Sequence, residues 1–547
     1  MRLFLFFFFC AFASGIVADE EEPPSEITSD TDYCLRGILL SNDSKALKPE
    51  ILDGVEIQMD LPGASSDLRK RLEANFLGRP LTKKLIAEIK NSVVDFYRSH
   101  SRPIVAVIAP EQDISDCALQ LLVIESCLGE VEITGNCYFS SDRLCNYLRV
   151  YPSGPIESDV VNQDLFWINK NPFRQVDLVY KPGTSVGTTD ILMVVQDRRP
   201  CRVYTGIDNT GNDFTGNNRL FAGLNWGNAF GLDHILSFQF TADDQFKRFL
   251  AYTLHYTIPL PWRHLINLYG GYSSVDTHFS VPEAVGSRFR NHGFSGQASF
   301  RYDIPFKPDR SLQEFTWGFD WKRTNNNLAF SEIPVFSKII NLTQFMVSYN
   351  FGYESRDHAA TLEVEGFASP FEWLPDQSNA DYQTLRPFAK NKYAYGRGSF
   401  TWVHHFTRRL YYNIFLRGQA ASANLLPSEE YGLGGYDTVR GYKERIVNGD
   451  DAFVANVEFL NSPVPLLKRT PSIDSLQFLV FGDYGAAFVH QATAGQKSVQ
   501  HLYSVGTGLR YKIGTNISVR ADWGYQLHHI PDSGPNQRLH FQAIASY

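Results

Sequence analysis

The sequence predicts two parts in series, a pair of α+β repeats followed by an all-β transmembrane barrel of about 16 antiparallel strands. Three observations carry this. All seven cysteines of the 547 residues lie at or before Cys201. Helical and strand-like periods alternate up to that point. From Val203 to Tyr547 the helical period disappears, and a two-residue alternation sets apolar residues on one face against polar and charged residues on the other.

The chain opens with Met1-Arg2, an apolar run over residues 3–12, small residues to Ala18 and then an acidic cluster, the pattern of a secretory signal peptide over residues 1–18. Cleavage fits after Ala18 or after Gly15. An apolar run this short falls well below the roughly 20 residues a helix needs to cross a bilayer. Residues 19–50 are acidic and proline-bearing, with an apolar patch at residues 35–40, and read as a poorly specified N-terminal arm.

Residues 51–127 form the first repeat. A strand at residues 55–59 precedes a helix opened by Ser65-Ser66-Asp67. A second helix begins near Thr82 and sets Leu85, Ile86, Ile89, Val93 and Phe96 on one face. Strands at 104–109 and 117–125 complete a βααββ order. Residues 128–200 repeat it: a strand at 129–136 with Val131 and Ile133 inward, a helix capped by Ser140-Ser141-Asp142, a helix at 157–169, and strands at 175–180 and 189–196. Two tandem units of about 75 residues are a repeat signal.

Residues 201–547 form the barrel. Along residues 251–260, Tyr252, Leu254, Tyr256 and Ile258 share one face and Thr253, His255 and Thr257 the other; Arg520 and Asp522 likewise oppose Val519, Ala521 and Trp523. Lipid demands an apolar outer face, whereas a wet lumen tolerates charge. Aromatic content of 14%, with 41 Phe and 27 Tyr beside four Met, fits an aromatic-girdled wall.

Composition and motifs exclude several function classes. A net charge of −8 gives no basic footprint for nucleic acid. Gly183-Thr184-Ser185-Val186-Gly187 matches the serine elbow, but it lies between two strands rather than at a strand-to-helix turn, so it reads as a hairpin loop. Metalloprotease and phosphate-loop signatures do not occur, and no cofactor or metal is expected. His404-His405, as strand neighbours, point to opposite faces and do not ligate together. Without Cys10, which the signal peptide carries, six cysteines remain: Cys34, Cys117, Cys127, Cys137, Cys145 and Cys201. In an exported protein they are candidates for disulfides, with their pairing open and buried free thiols as the other reading.

Two short motifs stand out in the barrel. A connection of about thirty residues, far longer than a hairpin needs, holds Gly434-Gly435-Tyr436-Asp437-Thr438-Val439-Arg440-Gly441-Tyr442. Such a loop either hangs outside or folds inward. Further on, period-two parity places Phe481, Asp483 and Gly485 with Gln477 on the lumen face, opposite Phe478 and Val480.

With Val439-Arg440-Gly441-Tyr442 as a V-R-G-[FY] loop tip, and Phe481, Asp483 and Gly485 as an F-x-D-x-G wall motif, the chain resembles the outer-membrane transporters of two-partner secretion. Their superfamily also includes the BamA-type barrel assembly factors. Val131, Ile133, Gly135 and Asn136 resemble the start of a POTRA domain; Asn171-Pro172, Arg174, Val176, Pro182-Gly183 and Gly187-Thr188 resemble the end of a second one. Asp208-Asn209-Thr210-Gly211 and Thr215-Gly216 look like the first barrel strands. Asn228, Gly231 and Asp233 look like the first hairpin, although Leu232 stands where glycine is common. The arm lacks a clear long helix that could plug the pore.

The resemblance implies two periplasmic POTRA domains on a barrel in the bacterial outer membrane. It implies a translocase that passes an unfolded partner polypeptide to the cell surface, with Arg440 at the tip of an inward loop pairing with Asp483. The expected partners are a secreted polypeptide and outer-membrane lipid, with no nucleic acid and a single working chain. No enzymatic activity is expected. The alternative function is insertion of other barrels into the membrane, which repeat number disfavours because assembly factors commonly carry more than two.

Overall fold

In a computed structural model, residues 34–43, 52–213, 215–280, 288–306, 311–325, 338–467, 473–531 and 533–547 are described. The signal peptide of residues 1–18 and the arm up to residue 33 lie outside the described residues. The described residues up to Leu128, with Pro152–Ser158 and Thr184–Thr188, make one compact unit. Gly129–Tyr151, Asp159–Gly183 and Thr189–Tyr547 make a second.

The first unit is a four-stranded sheet in the order Gly54–Gln58, Gly37–Ser41, Ala118–Glu125, Val105–Ile108, covered by the helices Ser65–Phe76 and Lys83–Ser99. Leu85, Ile89, Val93 and Phe96 do line one helical face. They pack with Leu68 and Leu72 onto Ile38, Leu40, Leu119 and Leu121. The Thr82 hydroxyl caps its helix by accepting from the Leu85 N–H at 3.1 Å. Two expectations need correction. The first helix has Ala64 at its N-cap, with no side-chain cap from Ser65 or Ser66. More importantly, part of the segment read as an arm is a central strand. Gly37–Ser41 pairs in parallel with both neighbours and is buried along its whole length. A strand covered on both faces loses the apolar–polar alternation by which strands are recognised.

The second unit opens with the three-stranded sheet Cys127–Thr134, Thr188–Asp197, Arg174–Pro182, whose first strand begins two residues before the unit itself. Val131 and Ile133 turn toward a core of Phe139, Leu144, Leu148, Ile168, Phe173, Val176, Met193 and Val195. Arg174–Pro182 runs antiparallel to Thr188–Asp197, so the serine-elbow look-alike is a hairpin loop. All six cysteines stand as free thiols in this structure. Cys145 sits in the helix Ser141–Asn146, whereas Cys127 and Cys201 begin strands. Neither apolar core includes a cysteine, so both cores close without cross-links.

From Cys201–Asp208 to Gln537–Ser546, sixteen strands close into an antiparallel barrel. The closing pair runs in register from Gln542 against Asp208 to Ser546 against Tyr204, and Tyr547 adds reciprocal backbone hydrogen bonds with Val203. Closure satisfies the edge groups that an open sheet would leave unpaired in lipid. The two faces differ as parity requires: Phe478 and Val480 are 55% and 52% exposed on the outer wall, whereas Phe481 and Asp483 are both buried inside. His404 faces His358, with their Nδ1 atoms 3.1 Å apart, and His405 stacks on Tyr411, so the neighbouring histidines do diverge.

The second repeat is bolted to the barrel by a buried ion pair. Arg174 donates to both oxygens of Asp233, at 2.6 and 2.8 Å, and its Nε donates to the Ile168 carbonyl at 2.9 Å. Asn171 donates to Asp233 at 2.8 Å and to the Gly227 carbonyl at 2.6 Å. Tyr147 donates its hydroxyl to Asp233 at 2.8 Å. Burial, and then the adjacent Asp233 carboxylate, push the Tyr147 phenol upward, which keeps it protonated as a donor. Two patches singled out in the sequence, at 171–174 and 228–233, thus meet across the joint. A second clasp is built on buried Asp164, which accepts from Arg149 and pairs with Arg263 in a barrel turn.

Removing one partner of such a pair strands the other charge, at a cost of about 3–5 kcal/mol. Arg174→Ala is therefore expected to loosen the second repeat while the barrel stays intact. Hydrogen exchange should accelerate over residues 129–197, with heat-modifiable barrel migration unchanged; unchanged exchange would show that the joint does not depend on this pair.

Candidate functional site

The site is assembled from one loop and five wall strands. Residues 422–450 leave the strand Leu410–Ala421 and return to Asp451–Asn461. A short ladder between Tyr431–Leu433 and Val447–Gly449 ties the loop's stem and presents residues 434–446 as a stiff tip. Gly434 and Gly435 both adopt positive φ, 97° and 103°, which lets the chain turn sharply there. Val439 and Tyr442 are fully buried among Leu433, Val454, Leu502 and Ile530. The loop therefore lies inside the barrel as the lumen's own packed core.

Arg440 occupies the centre and is 3% exposed. Its Nε and one terminal nitrogen donate to the two oxygens of Asp483, at 2.8 and 2.7 Å, and its backbone N–H adds a third bond to that carboxylate at 3.0 Å. The other terminal nitrogen donates to Glu458 at 2.6 Å. The guanidinium carbon lies 3.5 Å from the Phe481 ring centroid. Each position of the wall motif therefore has a task. Phe481 is the platform under the guanidinium, and Asp483 accepts from the fork. Gly485 is a notch, because a Cβ there would stand 2.8 Å from Val439 Cγ2.

The surroundings complete the lock. Asn456, opposite Asp483 in register, donates to Asp483 at 2.8 Å and to the Thr438 carbonyl at 2.6 Å. Asp522 is bound by Arg510 at 2.7 and 3.0 Å and by Arg520 at 2.7 Å, and lies 4.0 Å from Arg440. Arg520 also stacks on Tyr436, 3.6 Å from its centroid. Three arginines thus face three carboxylates, which keeps the buried cluster near electroneutrality. On the far side Gly441 donates its N–H to His540 Nε2 at 3.0 Å, and Gln526 donates to the Gly441 carbonyl at 2.7 Å. Gly524 lets that contact form, because a Cβ there would lie 2.5 Å from the Gly441 nitrogen.

A second set of contacts holds the loop's base. Arg386 pairs with Asp450 at 2.5 Å and with Glu430 at 2.8 Å. Buried Glu429 accepts from Lys322 at 2.7 Å and from Tyr395 at 2.8 Å.

The structure brings Val439, Arg440, Gly441 and Tyr442 together with Phe481, Asp483 and Gly485. Glu458, Asn456, Asp522, Gln526 and His540 were not singled out from the sequence, nor were the loop-base residues. Their signal was present only as lumen-face parity, and parity does not say which polar side chain meets the loop. Among the described residues no group of three or more His, Cys, Asp or Glu is arranged to hold a metal ion.

Comparison with known proteins bears on the family and the fold. Residues 187–511 match the family described as haemolysin secretion/activation protein ShlB/FhaC/HecB. The chain is 22% identical over 505 residues to the heme/hemopexin transporter protein HuxB of Haemophilus influenzae (strain 86-028NP), covering 86% of this chain and 83% of that one. It is 24% identical over 405 residues to the hemolysin transporter protein ShlB of Serratia marcescens, covering 72% and 69%. Among solved structures, CdiB from Escherichia coli superposes with a TM-score of 0.75 at 17% identity, covering 96% of this chain and 93% of that one.

Two substitutions test the lock. Arg440→Lys keeps the charge but loses the planar fork and the stacking, so limited proteolysis should cut residues 434–446 in the folded barrel; continued protection would refute a role for the fork. Gly485→Ala should unseat the tip through the Val439 clash, and adding Val439→Ala should restore protection by removing the clashing methyl. Absence of rescue would argue against the notch.

Proposed function

The chain belongs to the haemolysin secretion/activation family ShlB/FhaC/HecB, and on that premise we propose how it carries one unfolded partner polypeptide through its barrel to the cell surface. It is an outer-membrane transporter with POTRA domains on the periplasmic side. The observation that carries the mechanism is the lumen, filled by a loop whose arginine tip is held to the wall by polar contacts. Such a plug can give way to a passing polypeptide, because each bond it surrenders can be replaced by water or by the substrate's own backbone.

The partner would dock first on the second repeat. Arg174–Pro182 is an outer strand of its sheet, with Val179 and Tyr180 exposed. An extended segment can add there as a further strand, the main chain supplying affinity and side-chain pockets supplying choice. Passage would then require the loop to leave Asp483 and Glu458, and folding of the partner outside would prevent its return. No ATP-driven step is needed in this scheme, and a single chain suffices.

Barrel assembly is the competing reading, since it shares the loop and wall motifs. The family match favours secretion. Deleting the gene separates the two: secretion predicts that one large exported protein is stranded in the periplasm while other barrels stay at normal levels. Broad depletion of outer-membrane barrels would overturn the proposal.

Proline scanning along Arg174–Pro182 tests docking. Prolines of one parity remove ladder donors to Thr188–Asp197 and should disturb the domain. Those of the other parity remove only free-edge donors, each weakening capture by about 1 kcal/mol, roughly fivefold. Partner binding that ignores every edge proline in a folded domain would place recognition elsewhere.

A further inference from the structure

The loop between the strands His358–Ser369 and Tyr393–His405 does not simply cap the barrel. It lies at the end of the wall opposite the turns that hold the second repeat, since strands alternate in direction from the turn carrying Asp233. Part of it folds back over the outside of the wall. The Trp373 ring centroid is 5.5 Å from Phe345, 5.8 Å from Phe319 and 5.1 Å from Phe371. Phe319 and Phe345 are partners in register on neighbouring strands. Both point outward, because the adjacent Asp320 and Gln344 are buried on the lumen side and hydrogen-bonded to each other at 3.0 Å. The same outer face continues through Trp317 and Val347.

This segment is built to stay there. Gln377 is 1% exposed; its carbonyl oxygen accepts from the backbone N–H groups of Trp373 and Leu374, both at 3.1 Å, and its amide donates to the Thr343 hydroxyl of the wall at 2.7 Å. Asn341, also on the wall, donates to the Pro375 carbonyl at 2.9 Å. Asn391 donates to the Gln377 carbonyl at 2.8 Å. The helix Asn379–Leu385 carries a complete capping box at Ser378 and buries Tyr382 and Leu385 against Ile340, Leu342 and Met346. Above this polar anchoring Phe371 is 50% exposed, Trp373 53% and Leu374 37%, while the carboxylate of Glu372, exposed between them, accepts from Asn391.

We propose that Phe371, Trp373 and Leu374 form a membrane foot, inserted at the boundary between headgroups and acyl chains of the outer leaflet. Two observations select lipid as the occupant rather than the exported chain. The patch is continuous through ring contacts with the lipid-facing wall, and it lies on the outside of the barrel. The N–H groups of Trp373 and Leu374 are already satisfied, as immersion away from water demands. Tryptophan is the side chain that favours this depth. The foot would anchor the outer end of the barrel next to the Arg386 and Leu425–Leu426 contacts that hold the lumen loop's base. The inference rests on the membrane reading of the wall.

The test uses the full chain reconstituted in phosphatidylcholine vesicles brominated either near the carbonyl or near the methyl end of the acyl chains. Wild type minus Trp373→Leu isolates the fluorescence of Trp373 from that of the other seven tryptophans. Bromine near the carbonyl should remove about half of that difference signal, and deep bromine less, as expected for an interfacial ring. If Trp373→Leu fails to fold, Phe371→Trp minus wild type gives the same readout from the neighbouring position. Quenching of the wall tryptophans with no quenching of the difference signal would overturn the foot and leave the barrel standing. Absence of any quenching would overturn the membrane reading itself, and the foot with it.

Discussion

Everything in the barrel half follows from the inability of hydrocarbon to hydrogen-bond. A sheet in lipid must close so that its edge N–H and C=O groups are paired, and its outer side chains must be apolar. Polar chemistry is thereby confined to the lumen. There Arg440, Arg510 and Arg520 meet Glu458, Asp483 and Asp522 in near-neutral balance. The cluster is costly to build and costly to break one member at a time. A device of that kind sets one position for the loop.

Close approach of backbones is the second requirement. The guanidinium reaches Asp483 squarely because the tip can sit against the wall on both sides, and it can do so because Gly485 and Gly524 offer no Cβ there. Gly485 and Gly524 therefore answer the same geometric demand from different strands. Phe481 adds a flat surface that matches the planar guanidinium, a shape that lysine does not offer.

The same pairing of an arginine with a buried carboxylate recurs at the other end of the barrel, where Arg174 grips Asp233 in a turn between strands. There it fixes the second repeat on the barrel and so the direction in which its outer strand faces. At the opposite end, Arg386 and Asp450 hold the base of the lumen loop. The loop is thus restrained at its tip and at its base by separate networks.

Local patterns in the sequence determined the barrel, its strand number, the second repeat and the two motifs that meet in the lumen. Each is written in a short-range signal: alternation every two residues, helical spacing such as Leu85, Ile89 and Val93, or glycine and arginine at fixed offsets. The strand Gly37–Ser41 escaped because burial on both faces erases alternation. The cysteine count raised cross-links without choosing a pairing, and the apolar cores, which contain no cysteine, are visible only once the helices pack. Which polar side chains join Arg440 was decided by tertiary structure alone. Asp522 and His540 lie about 80 to 100 residues from the loop tip, and only barrel closure carries their strands to its far side. Sequence parity states that a residue faces the lumen; the shear and register of the closed sheet decide what it meets there.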